Sequence, residues 1–222
     1  MIKAVIFDMD GVIIDSEPLW IKSTNIYFKK VGIEFPDKNS MLTFIDINFR
    51  GRRQKEVINI LKKKFKLKGS YNQIMKVRTK LLLEVFDKEL KLVPGILTLI
   101  KKFKKNNIPM VVASSSPSDV IDYAMSKFKL NKFFKEIISG DNVKESKPEP
   151  DIFIKAAKSF ENVKTFEILV IEDSYSGVLA AKKAKMKCLG IRRHNALNKY
   201  YKTADKKVTT FVKINYNSIV NL

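Results

Sequence analysis

The sequence predicts an α/β protein with a doubly wound parallel sheet, in which a helical segment is inserted after the first strand. Short runs of apolar, β-branched residues alternate with helical patterns along most of the chain. At 222 residues, the chain is long enough to bury a hydrophobic core and to carry a smaller insert. Apolar residues make up 45% of it, which argues against a disordered chain.

Five apolar runs predict the strands of the sheet. The first, at residues 3–7, ends in Asp8 and is typical of a buried strand. The others lie at residues 108–113, 136–139 (the weakest), 168–171 and 188–191. Amphipathic helical patterns separate the later runs. Strands that alternate with helices of this length predict crossover connections, and therefore a parallel sheet.

Residues 16–89 interrupt this alternation and are mostly helical. Ser16 can cap a helix whose first turn holds Pro18. Apolar stripes predict two further helices, around residues 57–65 and 81–86, and Pro94 with Gly95 marks the return to the sheet. We therefore predict a core domain of residues 1–15 and 90–222 and a separate helical domain of residues 16–89.

Composition excludes several classes of protein. Cys188 is the only cysteine, so no internal disulfide can form, and with His194 as the only histidine a Cys/His zinc site is excluded. Asp8 comes too early for a signal peptide, and no apolar run approaches the roughly 20 residues of a membrane helix. We therefore expect a soluble, cytoplasmic protein with no membrane partner, and we expect a monomer.

The formal net charge of +20 favours an anionic partner, such as a phosphorylated metabolite or a nucleic acid. Residues 16–93 are the most densely basic part, with 18 Lys and Arg against 8 Asp and Glu. The lysines are mostly single or paired, and the sequence has no zinc-finger, KH or RRM motif. We interpret the charge as a lysine-rich surface set by composition, with steering of anionic substrates as the alternative, and expect no nucleic-acid partner.

Two carboxylates follow the first predicted strand directly. In open parallel sheets, ligands bind at the carboxyl ends of the strands, where Asp8 and Asp10 must lie. One carboxylate could hold a cation or attack an electrophile, and the other could move protons. Gly11 allows the backbone to turn sharply there. An Asp-x-Asp pair alone is a weak signal, because such pairs are also common in turns.

Three serines follow the strand predicted at residues 108–113. Hydroxyls and amides at a strand-to-helix turn can hold an anion, so Ser114 and Ser115 are predicted to bind phosphate. Ser116 is equally well explained as a cap for the helix at Pro117. Ser114 stands at the end of the strand, where capping explains it less well.

Lys147, Glu172 and Asp173 complete the candidate site. A lone lysine is normally a solvated charge, whereas two carboxylates at the end of an apolar strand are unfavourable without a cation or hydrogen-bond donors. A parallel sheet brings these residues to the same edge as the aspartates and serines. Carboxylates without Cys or His suit Mg²⁺, and the set is typical of a phosphoryl-transfer site. The sequence has no P-loop.

In these motifs the chain resembles the haloacid dehalogenase (HAD) superfamily, and most of all its branch of β-phosphoglucomutase and small sugar-phosphate phosphatases. The matching segments are Asp8-x-Asp10-Gly11-Val12, Ser114, Lys147-Pro148 and Glu172-Asp173-Ser174. The resemblance runs from residue 1 to about residue 193 and is poor in parts of the insert. It implies a Rossmann-like HAD core with a helical cap.

The resemblance also implies a role for each residue. Asp8 would be the nucleophile and a Mg²⁺ ligand. Asp10 would protonate the leaving group, activate water and bind the metal through its backbone carbonyl. The other roles would be phosphate binding by Ser114 and Lys147, and completion of the metal shell by Asp173 with Glu172.

The cap would read the leaving group, with Trp20, Gly51 and Arg52 as candidate substrate contacts. Arg50 and Arg53 lie in the same region, where a solvated helix start is the alternative explanation for all three arginines. Trp20 stands where β-phosphoglucomutases typically have His. We therefore predict a Mg²⁺-dependent phosphatase of sugar or sugar-alcohol phosphates, with β-phosphoglucomutase as the alternative. A non-catalytic binding module is disfavoured because every motif residue is present.

Overall fold

A computed structural model describes residues 1–49, 52–192 and 203–222 of the chain. It divides into two compact units, residues 1–15 with 92–222 and residues 16–91, here called the sheet unit and the helical unit. The second boundary lies after residue 91 rather than after residue 89, because the backbone of Leu92 pairs with Ile14 of the sheet unit.

The sheet unit contains a parallel sheet. Its strands are β1 (Ala4–Phe7), β2 (Met110–Ser114), β3 (Glu136–Ser139), β4 (Ile168–Glu172), β5 (Lys187–Ile191) and β6 (Lys206–Val208). Their order in the described part of the chain is β3-β2-β1-β4-β5-β6. β1, β2 and β4 are buried along their whole length, as expected for strands covered on both faces. The predicted doubly wound α/β fold is confirmed.

The register of the central strands positions the candidate site. Phe7, the last residue of β1, pairs with Val112 of β2 and with Ile171 of β4. The three strands therefore end close together, and the residues that follow them share one edge of the sheet. β6 was not expected from the sequence, because its lysines give no strand pattern and it forms by pairing with β5.

The helical unit consists of four helices in its described residues. They are α1 (Glu17–Lys30), α2 (Lys38–Phe49), α3 (Gln54–Phe65) and α4 (Tyr71–Glu89). Phe28 lies within 6.3 Å, between ring centroids, of four other phenylalanine rings, those of Phe35, Phe44, Phe49 and Phe65. α2 was not predicted from the sequence, and its helical form is stabilised by packing into this aromatic cluster. Ser16 stands at the N-cap of α1 but makes no capping bond through its side chain.

The sheet unit also contains helices, namely α5 (Ile96–Lys105), α6 (Ser118–Lys127), α7 (Asp151–Ala157), α8 (Tyr175–Lys183) and α9 (Asn217–Val220). Phe153 of α7 and Val178 of α8 belong to a buried apolar cluster with Ile6, Val111 and Val170 of the sheet. Within the described ranges, no helix combines the length and apolarity that a membrane crossing requires.

Candidate active site

The loop after β1 is a tight turn that carries Asp8 and Asp10. The backbone N–H of Asp8 donates to the Ile171 carbonyl at 3.0 Å, which continues the pairing of β1 with β4. The N–H of Gly11 donates to the Ile14 carbonyl at 2.8 Å. Gly11 has a φ of 78°, a conformation that is unfavourable for residues with a Cβ. The turn therefore begins directly at the carboxyl end of the strand.

A buried lysine joins two buried carboxylates next to this loop. The Nζ of Lys147 donates to Asp8 Oδ1 and to Glu172 Oε1, both at 2.6 Å. The Oε2 of Glu172 accepts from the N–H and the hydroxyl of Ser174, at 2.8 and 2.9 Å. Asp8, Lys147 and Glu172 are each 6% exposed or less. Two carboxylates share one ammonium group, so ionisation of both would leave a net negative charge in a poorly solvated place.

Burial and the neighbouring charges shift the pKa values of this group. Burial raises the pKa of Asp8 to about 8 against the opposing effect of Lys147, and Glu172 and Asp10 add to the rise. Burial alone would lower the pKa of Lys147, but Asp8 and Glu172 raise it above its ordinary value. Lys147 therefore stays charged at neutral pH, and the surroundings of Asp8 favour a second cation.

Asp10 is held by the serines that follow β2. Its Oδ2 accepts from Ser116 Oγ at 2.7 Å and from Ser114 Oγ at 3.3 Å. Ser114 Oγ also accepts from the N–H of Ser116 at 3.1 Å, and Ser139 donates its hydroxyl to the Ser116 carbonyl at 2.8 Å. Ser115 lies between the two and is partly buried. The structure thus brings this turn to Asp10.

The hydroxyl of Ser116 has a different role from the one that capping would give it. α6 begins at Ser118 with Pro117 at its N-cap, and no side chain caps it. Ser116 instead donates to Asp10 across 106 positions of sequence. Only the unusual run of three serines pointed to this contact in the sequence, and nothing pointed to Ser139.

The neighbouring carboxylates of Glu172 and Asp173 each lie against a glycine. A Cβ built on Gly11 would stand 2.0 Å from Asp173 Oδ2, and one built on Gly177 would stand 1.8 Å from Glu172 Oε1. Asp173 is therefore packed onto the loop of Asp8 and Asp10. Glu172 is packed onto the start of α8, which Ser174 caps by accepting from the Gly177 N–H at 3.0 Å.

The donor groups of the site fit a hard cation. Within the described ranges, no three Asp, Glu, His or Cys side chains are grouped closely enough to hold a metal by themselves. Asp8 and Asp173 flank a loop that also offers the backbone carbonyl of Asp10, and oxygen donors of this kind suit Mg²⁺. Lys147 and Ser174 engage both carboxylate oxygens of Glu172, and its role as a metal ligand stays a prediction.

The substrate contacts predicted in the cap belong to the helical unit. The Trp20 ring in α1 packs edge-on against Phe86 with a centroid distance of 6.4 Å. Arg52 precedes α3, and its Nη1 lies 3.9 Å from Glu56 Oε2. Gly51, like Arg50, lies outside the described residues. The roles of all three predicted contacts stay predictions.

Comparison with known proteins identifies the family. A model described as haloacid dehalogenase-like hydrolase matches residues 5–191. The chain is 32% identical over 184 residues to the phosphorylated carbohydrates phosphatase of Thermotoga maritima, covering 82% of this chain and 81% of that one. It is 25% identical over 215 residues to hexitol phosphatase B of Escherichia coli strain K12, covering 96% and 94%.

A solved structure gives the same result. CbbY from Rhodobacter sphaeroides, determined in complex with phosphate, is 25% identical, with a TM-score of 0.85 and complete coverage of both chains. The named relatives confirm the predicted enzyme class, a phosphoric monoester hydrolase. Because the family model spans most of the sequence and its motif residues meet at one edge of the sheet, the chain belongs to the haloacid dehalogenase-like hydrolases.

Proposed function

We propose that this chain is a Mg²⁺-dependent phosphatase of small phosphorylated carbohydrates that acts through a phosphorylated Asp8. The environment of Asp8 is the observation that carries the proposal. Its Oδ1 accepts from Lys147 at 2.6 Å, and no other side chain in the described ranges hydrogen-bonds to the Asp8 carboxylate. Oδ2 is therefore left to attack phosphorus. The names of two relatives, a phosphorylated carbohydrates phosphatase and a hexitol phosphatase, support this substrate class.

The reaction proceeds in two displacements. In the first, Asp8 Oδ2 bonds to phosphorus, the bond from phosphorus to the ester oxygen breaks, and Asp10 gives the leaving alkoxide a proton. In the second, Asp10 takes a proton from water, whose oxygen attacks phosphorus and breaks its bond to Asp8. Inorganic phosphate leaves, and the carboxylates return to their starting state. Ser114, Ser115 and Lys147 hold the phosphoryl oxygens through both steps.

The carboxylates of Asp8 and Asp173 and the backbone carbonyl of Asp10 would hold Mg²⁺. When bound, Mg²⁺ offsets the negative charge of the phosphoryl group. We assign Glu172 to positioning Lys147, because its Oε1 accepts from the ammonium at 2.6 Å while Ser174 holds its other oxygen. Lys147 in turn keeps Asp8 Oδ1 in place.

We assign the helical unit, residues 16–91, to recognition of the leaving group, with Trp20, Gly51 and Arg52 as contacts. A cap of this kind excludes water while the phosphoryl group is transferred. Trp20 replaces the His typical of β-phosphoglucomutases, which favours water over a sugar hydroxyl as the final acceptor.

Phosphate release from a panel of hexose, hexitol, pentose and glycerol phosphates, with Mg²⁺ or with EDTA, tests this function. We expect Mg²⁺-dependent release that differs between substrates. Asp8→Asn should lower kcat/KM by about 10³-fold or more, because an amide is a poor nucleophile. Asp122→Asn, at an exposed position in α6, is the matched control and should keep full activity.

Substantial release by Asp8→Asn, or release that EDTA does not affect, would contradict the mechanism. Little release from every substrate, together with isomerisation of β-glucose 1-phosphate, would identify a mutase instead.

A further inference from the structure

Arg78 in α4 is a buried cation that its surroundings do not satisfy. It is 6% exposed, and its Nε and Nη1 have no hydrogen-bond partner in the described part of the chain. Its Nη2 donates to Gln54 Oε1 over 3.3 Å, which is a long contact. The rings of Tyr27 and Phe49 lie 5.3 and 5.7 Å from its Cζ and make cation–π contacts with the charge, but they do not accept hydrogen bonds from Nε or Nη1.

The guanidinium group keeps its charge in this position. Burial lowers the pKa of Arg78 to about 10, with Tyr27 acting in the opposite direction, so the group is protonated at neutral pH. Buried donors without acceptors are unfavourable, and an apolar side chain of similar volume would avoid the cost. Arg78 therefore needs an explanation other than the stability of the helical unit.

The contact to Gln54 directs the guanidinium group to the start of a helix. Gln54 is the first residue of the 12-residue α3, and the N-cap residue, Arg53, has only donors and cannot cap. A helix start presents N–H groups and the positive end of the helix dipole. The acidic residue of this first turn, Glu56, lies 3.9 and 3.5 Å from the guanidinium groups of Arg52 and Arg53. Its carboxylate is therefore paired with these two arginines and not with Arg78.

We propose that Arg78 and the N-terminus of α3 bind an oxyanion, a phosphate or carboxylate group of a small molecule. The oxyanion replaces the long contact to Gln54 with charge-assisted hydrogen bonds from Arg78. It is either a second anionic group of the phosphatase substrate, which rests on the proposed function, or a group of a separate molecule. Arg78 is in the first case a residue that selects doubly anionic substrates.

Thermal unfolding of the full chain in rising potassium phosphate, at constant ionic strength, tests the site. The chains compared are the native one, Arg78→Met, Arg78→Lys and Lys80→Met. Lys80 is exposed on the same helix, so its loss removes an equal charge without touching the site. Phosphate bound in the sheet unit raises the Tm of every chain. The contribution of Arg78 is the difference between the rises in Tm of Lys80→Met and Arg78→Met.

We expect Arg78→Met to lose about half of the rise in Tm that phosphate produces, because one of two binding contributions is gone. The rise in Tm of Arg78→Lys should lie between those of Arg78→Met and the native chain, since lysine keeps the charge but not the planar donors. Lys80→Met should respond like the native chain. If Arg78→Met does not fold, Arg78→Lys makes the comparison.

A kinetic comparison identifies the source of the oxyanion. The substrates 6-phosphogluconate and sorbitol 6-phosphate differ by a carboxylate in place of a hydroxymethyl group. The preference is the ratio of the kcat/KM value for 6-phosphogluconate to that for sorbitol 6-phosphate. If the oxyanion is a group of the substrate, the native chain prefers 6-phosphogluconate, and Arg78→Met lowers this ratio about tenfold or more.

A loss of the phosphate response with an unchanged preference identifies a separate oxyanion at the same site. Equal phosphate responses of Arg78→Met and Lys80→Met, with an unchanged preference, overturn the proposal. If no monoester is hydrolysed by the native chain, the proposed function fails, and the phosphate response still decides whether Arg78 binds an oxyanion.

Discussion

Each unit of the molecule buries one Lys or Arg side chain among its described residues, and the two have different neighbours. Lys147 of the sheet unit donates to two carboxylates at 2.6 Å. Arg78 of the helical unit has one long contact to an amide oxygen and two aromatic rings nearby. Both residues are 6% exposed, so the extent of burial does not distinguish them.

The difference lies in what satisfies the charge. Burial acts to lower the pKa of both cations, but Asp8 and Glu172 reverse the effect for Lys147, whereas the pKa of Arg78 falls to about 10. The sheet unit supplies two carboxylates to its cation, whereas the described part of the helical unit supplies an amide oxygen and two aromatic rings. Removing a buried cation from its carboxylate partners is destabilising, whereas a buried cation without such partners points to a ligand.

Lys147→Met should have the largest effect of the variants that test this comparison. It leaves Asp8 and Glu172 buried without their shared cation, so the free energy of unfolding should fall by about 3–5 kcal/mol. Urea unfolding at pH 7 measures this. Lys183→Met is the control, because the exposed pair of Lys183 and Glu149 is worth about 1 kcal/mol at most. Equal losses in the two variants would mean that the buried network adds nothing.

Glycines at positive φ allow a second comparison of the units. Gly11→Ala would place a Cβ 2.0 Å from Asp173 Oδ2, so the carboxylate must move. We expect about 100-fold lower phosphatase activity from its displacement. Gly32, in the helical unit, has a φ of 71° and no atom within 4 Å of an added Cβ. Gly32→Ala should therefore reduce stability by about 1 kcal/mol through backbone strain alone and keep activity.

An active Gly11→Ala enzyme would show that the position of Asp173 is unimportant. Measured kcat/KM and the Mg²⁺ concentration for half-maximal activity report on the site, and urea unfolding of both variants separates strain from displacement.

Ser116→Ala tests a weaker internal contact of the sheet unit. Loss of the 2.7 Å bond to Asp10 should lower kcat about tenfold for alkyl phosphates, whose leaving groups need a proton. The loss should be smaller for p-nitrophenyl phosphate, which needs little protonation. Ser118→Ala, at an exposed position at the start of α6, is the control. Equal losses on both substrates would mean that Ser116 does not position the acid.

Arg78→Met gives the smallest expected change and the sharpest contrast with Lys147→Met. Without phosphate, its free energy of unfolding should stay the same or rise by about 1–2 kcal/mol, because an unsatisfied buried charge is removed. Urea unfolding in a phosphate-free buffer measures it. A loss as large as that of Lys147→Met would show that Arg78 stabilises the helical unit, and the two cations would then be equivalent.

The parts predicted from the sequence are those with a strong local pattern. Apolar runs predicted β1, β2 and β4, and a parallel sheet necessarily gathers the residues that follow them. α2 and β6 were not predicted because they form through tertiary contacts. α2 packs against the phenylalanine cluster, and β6 pairs with β5. Their own residues give no strong local pattern.

Partners within the site were harder to predict than its members. Ser116 was weighed as a helix cap, and Glu172 was assigned by resemblance to the metal shell without a predicted contact to Lys147. In the structure Ser116 donates to Asp10 and Glu172 accepts from Lys147. A side chain that can cap, bind a metal or accept from a lysine does whichever its neighbours permit.

The sequence by itself determined the α/β class, the inserted helical segment and the residues that reach the carboxyl edge of the sheet, because periodicity and strand ends are local properties. Only the tertiary structure decided that Lys147 joins Asp8 and Glu172, residues 139 and 25 positions away. The tertiary structure also decided that Asp173 packs onto Gly11 and that Arg78 has no carboxylate partner in the described part of the helical unit. These contacts depend on distances between segments remote in sequence, which no local pattern encodes.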